Sequence, residues 1–574
     1  MSMKKLWKNL QKTYIELQQI KVQNLTQKDF NNGTLLLNED NRHYQLKENI
    51  IFHPNAQNDF LPRKDQPEYQ TLGFSLGFFA VISISGKNIL LDLNGFTISA
   101  SEEFTLQQRF FSIIELADAP FIPGEGPGIF SSKITSGKNV IISNGTLGLS
   151  SHHGIHGNLA ENILIEKLTI QNFEFVGLAL NGCSNVAIKD VQIKNNRQNV
   201  PVMATYSAAR FLKMFSNHLL SKNILTYDIT NALKDHLKPL EEEMNATLKE
   251  VKNKQKVTSK LFGNVTGLPD GNVFGLLIKN PGFAVNDFSS SGLQTKNIFL
   301  YNVRIENLKC KVDEVISLST QNGTGALTDV AGAVLQIDKI KQGEKYQGTV
   351  LSNLQIYLSK ICADLKISLG KNNISQDIIA WSEHKISFSQ LLKKGYVYKC
   401  GSDSMNHLGK GIIGYRLEGL DNVYMKNCST GQIENQGNLG LVRAGCKNHD
   451  LAKRPGYFGA NTVGINISYC SNIVIRKFTS QGLVSKNGDT LGINVLFNSK
   501  VTLAKIQIKD LVAGTLKKDG RKNDKWIGTS YEGSEVDLTK VTLPNRVPKA
   551  FGIKTDKSSK VQSKKVQIDN VTSP

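Results

Sequence analysis

The sequence predicts an all-β chain, a right-handed parallel β-helix in which short strands stack coil upon coil. Three observations carry this. A small residue recurs eight positions before an Asn, the Asn residues lie 23 apart where the pattern is tightest, and the runs between them alternate apolar and polar residues.

The small-to-Asn spacing appears at Gly154 and Asn162, Gly177 and Asn185, Gly414 and Asn422, and Gly464 and Asn472. Ala80 with Asn88 and Ser131 with Asn139 obey it too, while Gly492 and Gly552 keep the spacing but are followed by Lys500 and Lys560. Asn139, Asn162 and Asn185 are each 23 residues apart. That suits one coil of short strands and turns, whereas a βαβ unit needs about 30 residues or more. Stacked at this period, Ile142, Ile165 and Ile188 make one inward ladder, and Leu147, Ile170 and Ile193 another. Outside, Glu166 falls on Lys189 and Lys167 on Asp190, opposite charges about 4.8 Å apart. The Asn column (Asn88, Asn139, Asn162, Asn185, Asn422, Asn472) reads as a structural ladder. Asn tolerates left-handed backbone, and its amide can bond to the same amide one coil away. The small residue marks a place where a side chain would crowd a bend.

Four regions follow. Residues 1–30 hold an amphipathic helix with Leu6, Leu10, Tyr14 and Leu17 on one face, read as an N-terminal cap or docking helix. Residues 31–205 carry the first part of the β-helix, its opening stretch 31–70 lying across the first coil. Residues 206–260 read as a helical insertion, with Pro239 at a helix start and Leu240, Met244, Leu248 and Val251 as a stripe that packs on its own scaffold or binds a partner. Residues 261–574 continue the solenoid, irregular over 310–405 and ending in a strongly basic coil at 551–571.

The chain of 574 residues is 40% hydrophobic and 21% charged, enough to bury a large core. Its net charge of +20 favours acidic partners. The cations are mostly scattered Lys, which weighs against dedicated nucleic-acid recognition. No apolar run of signal-peptide length opens the sequence and no stretch approaches the roughly 20 apolar residues of a membrane span, so the expectation is cytoplasmic synthesis without a secretion signal. Seven widely spaced cysteines without a CxxC pair predict no zinc cluster, and no motif calls for a cofactor.

Over residues 75–205 and 265–574 this pattern resembles the right-handed parallel β-helix superfamily of pectate lyases, polygalacturonases and phage tailspikes. The Asn- and Lys-rich, signal-less character also resembles β-helix proteins of giant DNA viruses, which implies a place in a virion beside capsid proteins. Polygalacturonase-like enzymes carry NTD, DD, GHG and RIK motifs, and none occurs here. Asp329, Asp403 and Asp489 stand isolated, and the acidic calcium ligands of pectate-lyase-like enzymes are not evident.

The sharpest cluster is His152, His153 and His156 in SSHHGIHG. If Ile155 faces inward, alternation turns His153 inward as well. His152 and His156 then stand about 13 Å apart on a straight strand, too far to share a metal ion unless the chain turns at Gly154. The register adds Glu174 and Phe175. His152, His156 and Glu174 are the catalytic candidates and Asn181 the ligand-binding one; a structural turn with a buried His153 competes. The sequence thus favours a non-enzymatic structural or interaction protein of a large assembly. The alternative is a carbohydrate-active protein binding or cleaving a polysaccharide. An outward aromatic row would favour the alternative, but outward Phe and Tyr look too sparse to make one.

Overall fold

The computed structural model describes residues 3–58, 60–74, 77–107, 112–122, 133–195, 273–281, 295–310, 411–435, 461–485, 488–514 and 548–574, with isolated positions between 242 and 258. They form a parallel β-helix. One sheet of 10 short strands runs from Leu35–Leu37 to Ala550–Thr555, and a second of 14 strands runs from Val22–Leu25 to Lys560–Thr572. From Lys138–Leu147 onward the strands alternate between the sheets, apart from the short Lys309–Cys310, so each strand's neighbour within a sheet is the next coil, always parallel. Parallel strands need such crossovers, and here the partner sheet supplies them.

The register follows the hydrophobic pattern. Ile142, Ile165 and Ile188 stack, as do Leu147, Ile170 and Ile193, all fully buried. Glu166 faces Lys189 across the ladder. A slip of one residue would turn every one of these side chains outward. At the corner between the sheets, Asn139, Asn162 and Asn185 adopt left-handed φ of 56°, 60° and 57°. Their amides form a ladder: Asn139 donates to Asn88 at 2.7 Å, Asn162 to Asn139 at 2.8 Å and Asn185 to Asn162 at 3.0 Å. It extends to Asn41 at one end, and through Asn297 to Asn422 at the other. Asn472 leaves the ladder and donates to Asp421 instead, at 2.8 Å.

The glycine column has a sharper cause than a crowded bend. A Cβ on Gly154 would sit 2.4 Å from Ile170 Cγ2 and 2.5 Å from the carbonyl oxygen of Gly177. Gly177, Gly275, Gly414, Gly464 and Gly492 would each strike the carbonyl of the next glycine in the same way. These residues point into the core, against side chains of the facing sheet. Gly154 and Ile155 therefore both face inward, and strand alternation breaks between them. That overturns the inward placement of His153: it pairs with Val176 on the outer face. Two members of the spacing series also shift. Ala80 aligns with Ser112 and so with the His153 column, one place from the glycine column. Ser131 lies outside the described residues, and the strand beneath His153–Asn158 is Ser112–Glu115.

The N-terminal helix α1 (Met3–Gln18) is not an end cap. It crosses the outer face of the longer sheet from strand Arg42–Leu46 to strand Lys296–Glu306, with Leu6, Leu10 and Leu17 buried on Leu90, Ile141, Leu164 and Ala187. Its 16 residues span about 24 Å at 1.5 Å each, and five strand spacings of about 4.8 Å span the same length. The small Ala187 on this face leaves room for a helix. The N-terminal end of the core is instead filled by aromatic edge-to-face contacts among Phe52, Phe60, Phe78 and Phe104. At the opposite end, the inward Ile568 of the final strand is 45% exposed. Of the insertion at 206–260 only scattered positions are described, among them helical Asn245, Ala246, Lys249 and Glu250, and the irregular stretch 311–405 lies outside the described residues.

Gly177→Ala tests the column. Its Cβ would meet Ile193 Cγ2 at 2.5 Å and the Gly275 carbonyl at 2.8 Å. Overpacking of this kind costs about 1–3 kcal/mol, so a lowered denaturation midpoint is expected. An unchanged midpoint would refute the close approach.

Candidate functional site

The irregularity at Gly154 builds the histidine cluster. With Gly154 and Ile155 both turned inward, His153 and His156 emerge on the same outer face. Their rings stack with centroids 4.8 Å apart and planes at 15°. The His152 ring packs edge-on to His153 at 4.1 Å and lies against Phe175 at 5.1 Å. The three imidazoles thus form one continuous row.

Two carboxylates from neighbouring coils flank it. Glu115, one coil before, pairs in register with His156, and its Oε2 lies 2.6 Å from His156 Nδ1. Glu174, at the entry to the next coil, places Oε2 3.6 Å from His152 Nδ1. Glu115 is 1% exposed and Glu174 5%. Glu115 Oε1 meets no hydrogen-bond partner among the described residues, an expensive state for a buried carboxylate oxygen. Asn181 is not brought to the imidazoles. It stacks on Asn158, donating to its side-chain oxygen at 3.3 Å, while Asn158 donates to the Pro120 carbonyl at 3.0 Å. These two form a second, short amide ladder.

Burial, with the neighbouring His152, His156 and Lys279 side chains acting in the same direction, holds His153 well below the usual imidazole value of 6.5. His153 is therefore neutral at neutral pH. Burial pushes the Glu115 carboxyl up, and His156 works against that shift. A carboxylate at Nδ1 fixes the tautomer of the His156 ring. Among the described residues no group of three or more His, Cys, Asp or Glu side chains is arranged to hold a metal ion. The rings of His153 and His156 stack face to face with His152 edge-on beside them, and the three do not converge on a point.

Glu115 was missed in the sequence. The segment SIIE continues the Ile155 column through Ile114 and was the available signal. The long connection from 116 to 137 breaks the 23-residue period and hid it. Farther along the same outer row, Arg416 pairs with buried Glu418 at 2.7 Å and lies over the Phe274 ring at 4.9 Å. Asp489 accepts the Lys549 backbone N–H at 3.0 Å, a structural role, while Asp329 and Asp403 lie outside the described residues.

No protein-family model and no curated protein matches the chain. Among solved structures it is similar to an alginate lyase from a Paenibacillus species, at 9% identity and a TM-score of 0.25, over 95% of this chain and 99% of that one. The resemblance to giant-virus β-helix proteins finds no counterpart among these matches. No described helix is long and apolar enough to cross a membrane.

Acid lability should trace to His153. Its depressed pKa means the unfolded chain takes up a proton that the folded chain refuses, so its contribution to stability is present above about pH 6.5 and lost as the pH falls below it. His153→Phe keeps a ring in the stack and removes the titration. Urea unfolding at pH 7.5 and 5.5 should show a smaller loss in the variant than in the wild type; equal losses would contradict the half-buried, neutral imidazole.

Proposed function

We propose that the protein acts on an acidic polysaccharide at the outer face of strand His153–Asn158, with His156 exchanging the proton and Glu115 orienting it. The Glu115–His156 contact at 2.6 Å carries this reading. A carboxylate-oriented imidazole is suited to remove the proton next to a sugar carboxylate. The proton passes to Nε2, its electron pair forms a carbon–carbon double bond, and the adjacent glycosidic C–O bond breaks. The departing oxygen then takes up a proton. His153 supports the step by staying neutral, since a second imidazolium 4.8 Å from His156 would oppose its protonation. Glu174 holds His152 at the end of the row.

A non-enzymatic role in a larger assembly is the second reading. It is favoured by the exposed cations Lys560, Lys564 and Lys565 on strand Lys560–Thr572, which suit an acidic protein surface. In that case the partners would be other proteins of the assembly.

The test is release of unsaturated ends, read by ultraviolet absorbance, from a panel of polyuronates. General acid–base groups contribute about 10²–10⁴-fold. His156→Ala should therefore lower kcat at least about 100-fold without changing the unfolding midpoint, and Glu115→Gln should lower it less. Wild type that cleaves no polyuronate, or a fully active His156→Ala variant, would overturn the enzymatic reading.

A further inference from the structure

The outer face of the longer sheet carries a surface that the histidine site does not use. Beyond the end of α1, three rings lie nearly parallel. Phe299 and Tyr301 are 6.2 Å apart at 8°, and Phe299 and Tyr424, one coil on, are 5.9 Å apart at 9°. Trp7 of the helix covers Phe299 at 5.9 Å, while Tyr301 and Tyr424 stay half-exposed. Lys426 stands over the Tyr301 ring at 5.7 Å. The aromatic group that looked too sparse in sequence is assembled by register, from residues 125 positions apart in adjacent coils.

Cations continue from these rings. Lys426 is followed in its outward row by Arg476 and, two coils later, by Lys564. Beside that row runs a bend in the strands where every residue has left-handed φ. Earlier coils place Asn144, Asp190, Asn302 and Asn427 there, residues that tolerate the conformation. The last three coils place Lys477, Lys505 and Lys565, at φ of 52°, 58° and 57°. Each is exposed, and none meets a carboxylate within ion-pair distance among the described residues. Lys167, in an earlier coil of the same bend, differs: the Glu166 carboxylate is 4.0 Å away. In the last coils the chain tolerates both a poor conformation for Lys and the repulsion of like charges about 4.8 Å apart, where Asn would remove both costs. A fold requirement does not account for this choice; an anionic ligand does.

We propose that this stripe, from Tyr301 and Tyr424 to Lys565, binds an acidic polysaccharide chain lying along the solenoid axis. The cations recur once per coil, a repeat comparable to one sugar ring of an extended chain. The tyrosine rings offer faces for the apolar side of a pyranose, and the neighbouring outward row of Thr479, Gln507 and Gln567 offers hydroxyl and amide groups to sugar hydroxyls. A single-stranded nucleic acid fits less well. It needs rings for successive bases, yet the row that holds Tyr424 continues as Val474, Thr502 and Gln562. The surface is separate from the Glu115–His156 pair, so it can hold a polymer whether or not the protein cleaves it.

Affinity electrophoresis in gels containing polygalacturonate, alginate, neutral dextran or no polymer tests this, with a fluorescent single-stranded oligonucleotide measured in solution. Wild type should be retarded by the acidic polymers and not by dextran, with retardation falling as salt rises. Lys477→Asn/Lys505→Asn/Lys565→Asn uses the residue the fold itself places at that bend. Its unfolding midpoint should equal or exceed that of wild type, while affinity for the acidic polymers falls at least tenfold. Tyr301→Ala/Tyr424→Ala should also weaken binding, with the salt dependence retained. The same measurement in His156→Ala, which should bind like wild type, separates this surface from the proposed cleavage. Wild type that ignores acidic polymers, a triple Asn variant that binds as well as wild type, or tighter binding of the oligonucleotide than of any glycan would each overturn the proposal.

Discussion

Everything in this molecule depends on the coils keeping one register, and that register is held at two backbone features. At one, Asn residues in left-handed conformation join amide to amide along the axis. At the other, glycines leave no room for a methyl group, which would strike the carbonyl of the next coil in the same sheet and a side chain of the facing sheet. A parallel ladder alone tolerates slippage when its residues are similar. The Asn column and the glycine column are one residue wide, and a slip of one residue would place Ile163 or Val186 at the first and Ile155 or Leu178 at the second, or in the other direction a charged or hydroxyl residue at the first.

Once the register is set, the outside is stacked as strictly as the inside. On the short sheet this brings Glu115, His156 and Glu174 together from three coils. On the longer sheet it makes a seat for α1, then three parallel rings, then columns of Lys. The core does not require the outer residues, so what they share is informative. Buried acid–imidazole pairs and unneutralised Lys columns are both costly, and neither improves packing. Both also suit the anionic polymer proposed as ligand, one surface to hold it and the other to carry the proposed proton transfer.

The alternation of apolar residues, the Asn spacing and the inward ladders were legible in the sequence because each is a local pattern repeated at a fixed period. The histidine geometry was misread for a physical reason. Strand alternation assumes an unbroken pleat, and Gly154 interrupts it, turning His153 outward. Glu115 and the ring cluster of Phe299, Tyr301 and Tyr424 were hidden for a second reason: their partners come from coils separated by long connections. The helix at residues 3–18 was recognised by its apolar stripe, but a stripe gives no address. Only the match between its length and five strand spacings explains why it lies along the sheet.

The most direct measurement is a double-mutant cycle across the Asn column. Asn139→Ala, Asn162→Ala and the double variant are compared by chemical denaturation. The amides meet at 2.8 Å, and each single change leaves its partner unmet. A coupling energy of about 0.5–3 kcal/mol between the two sites is expected. Additive effects would mean that the coils hold their register by core packing alone, and would contradict the amide ladder as the constraint on which the rest is built.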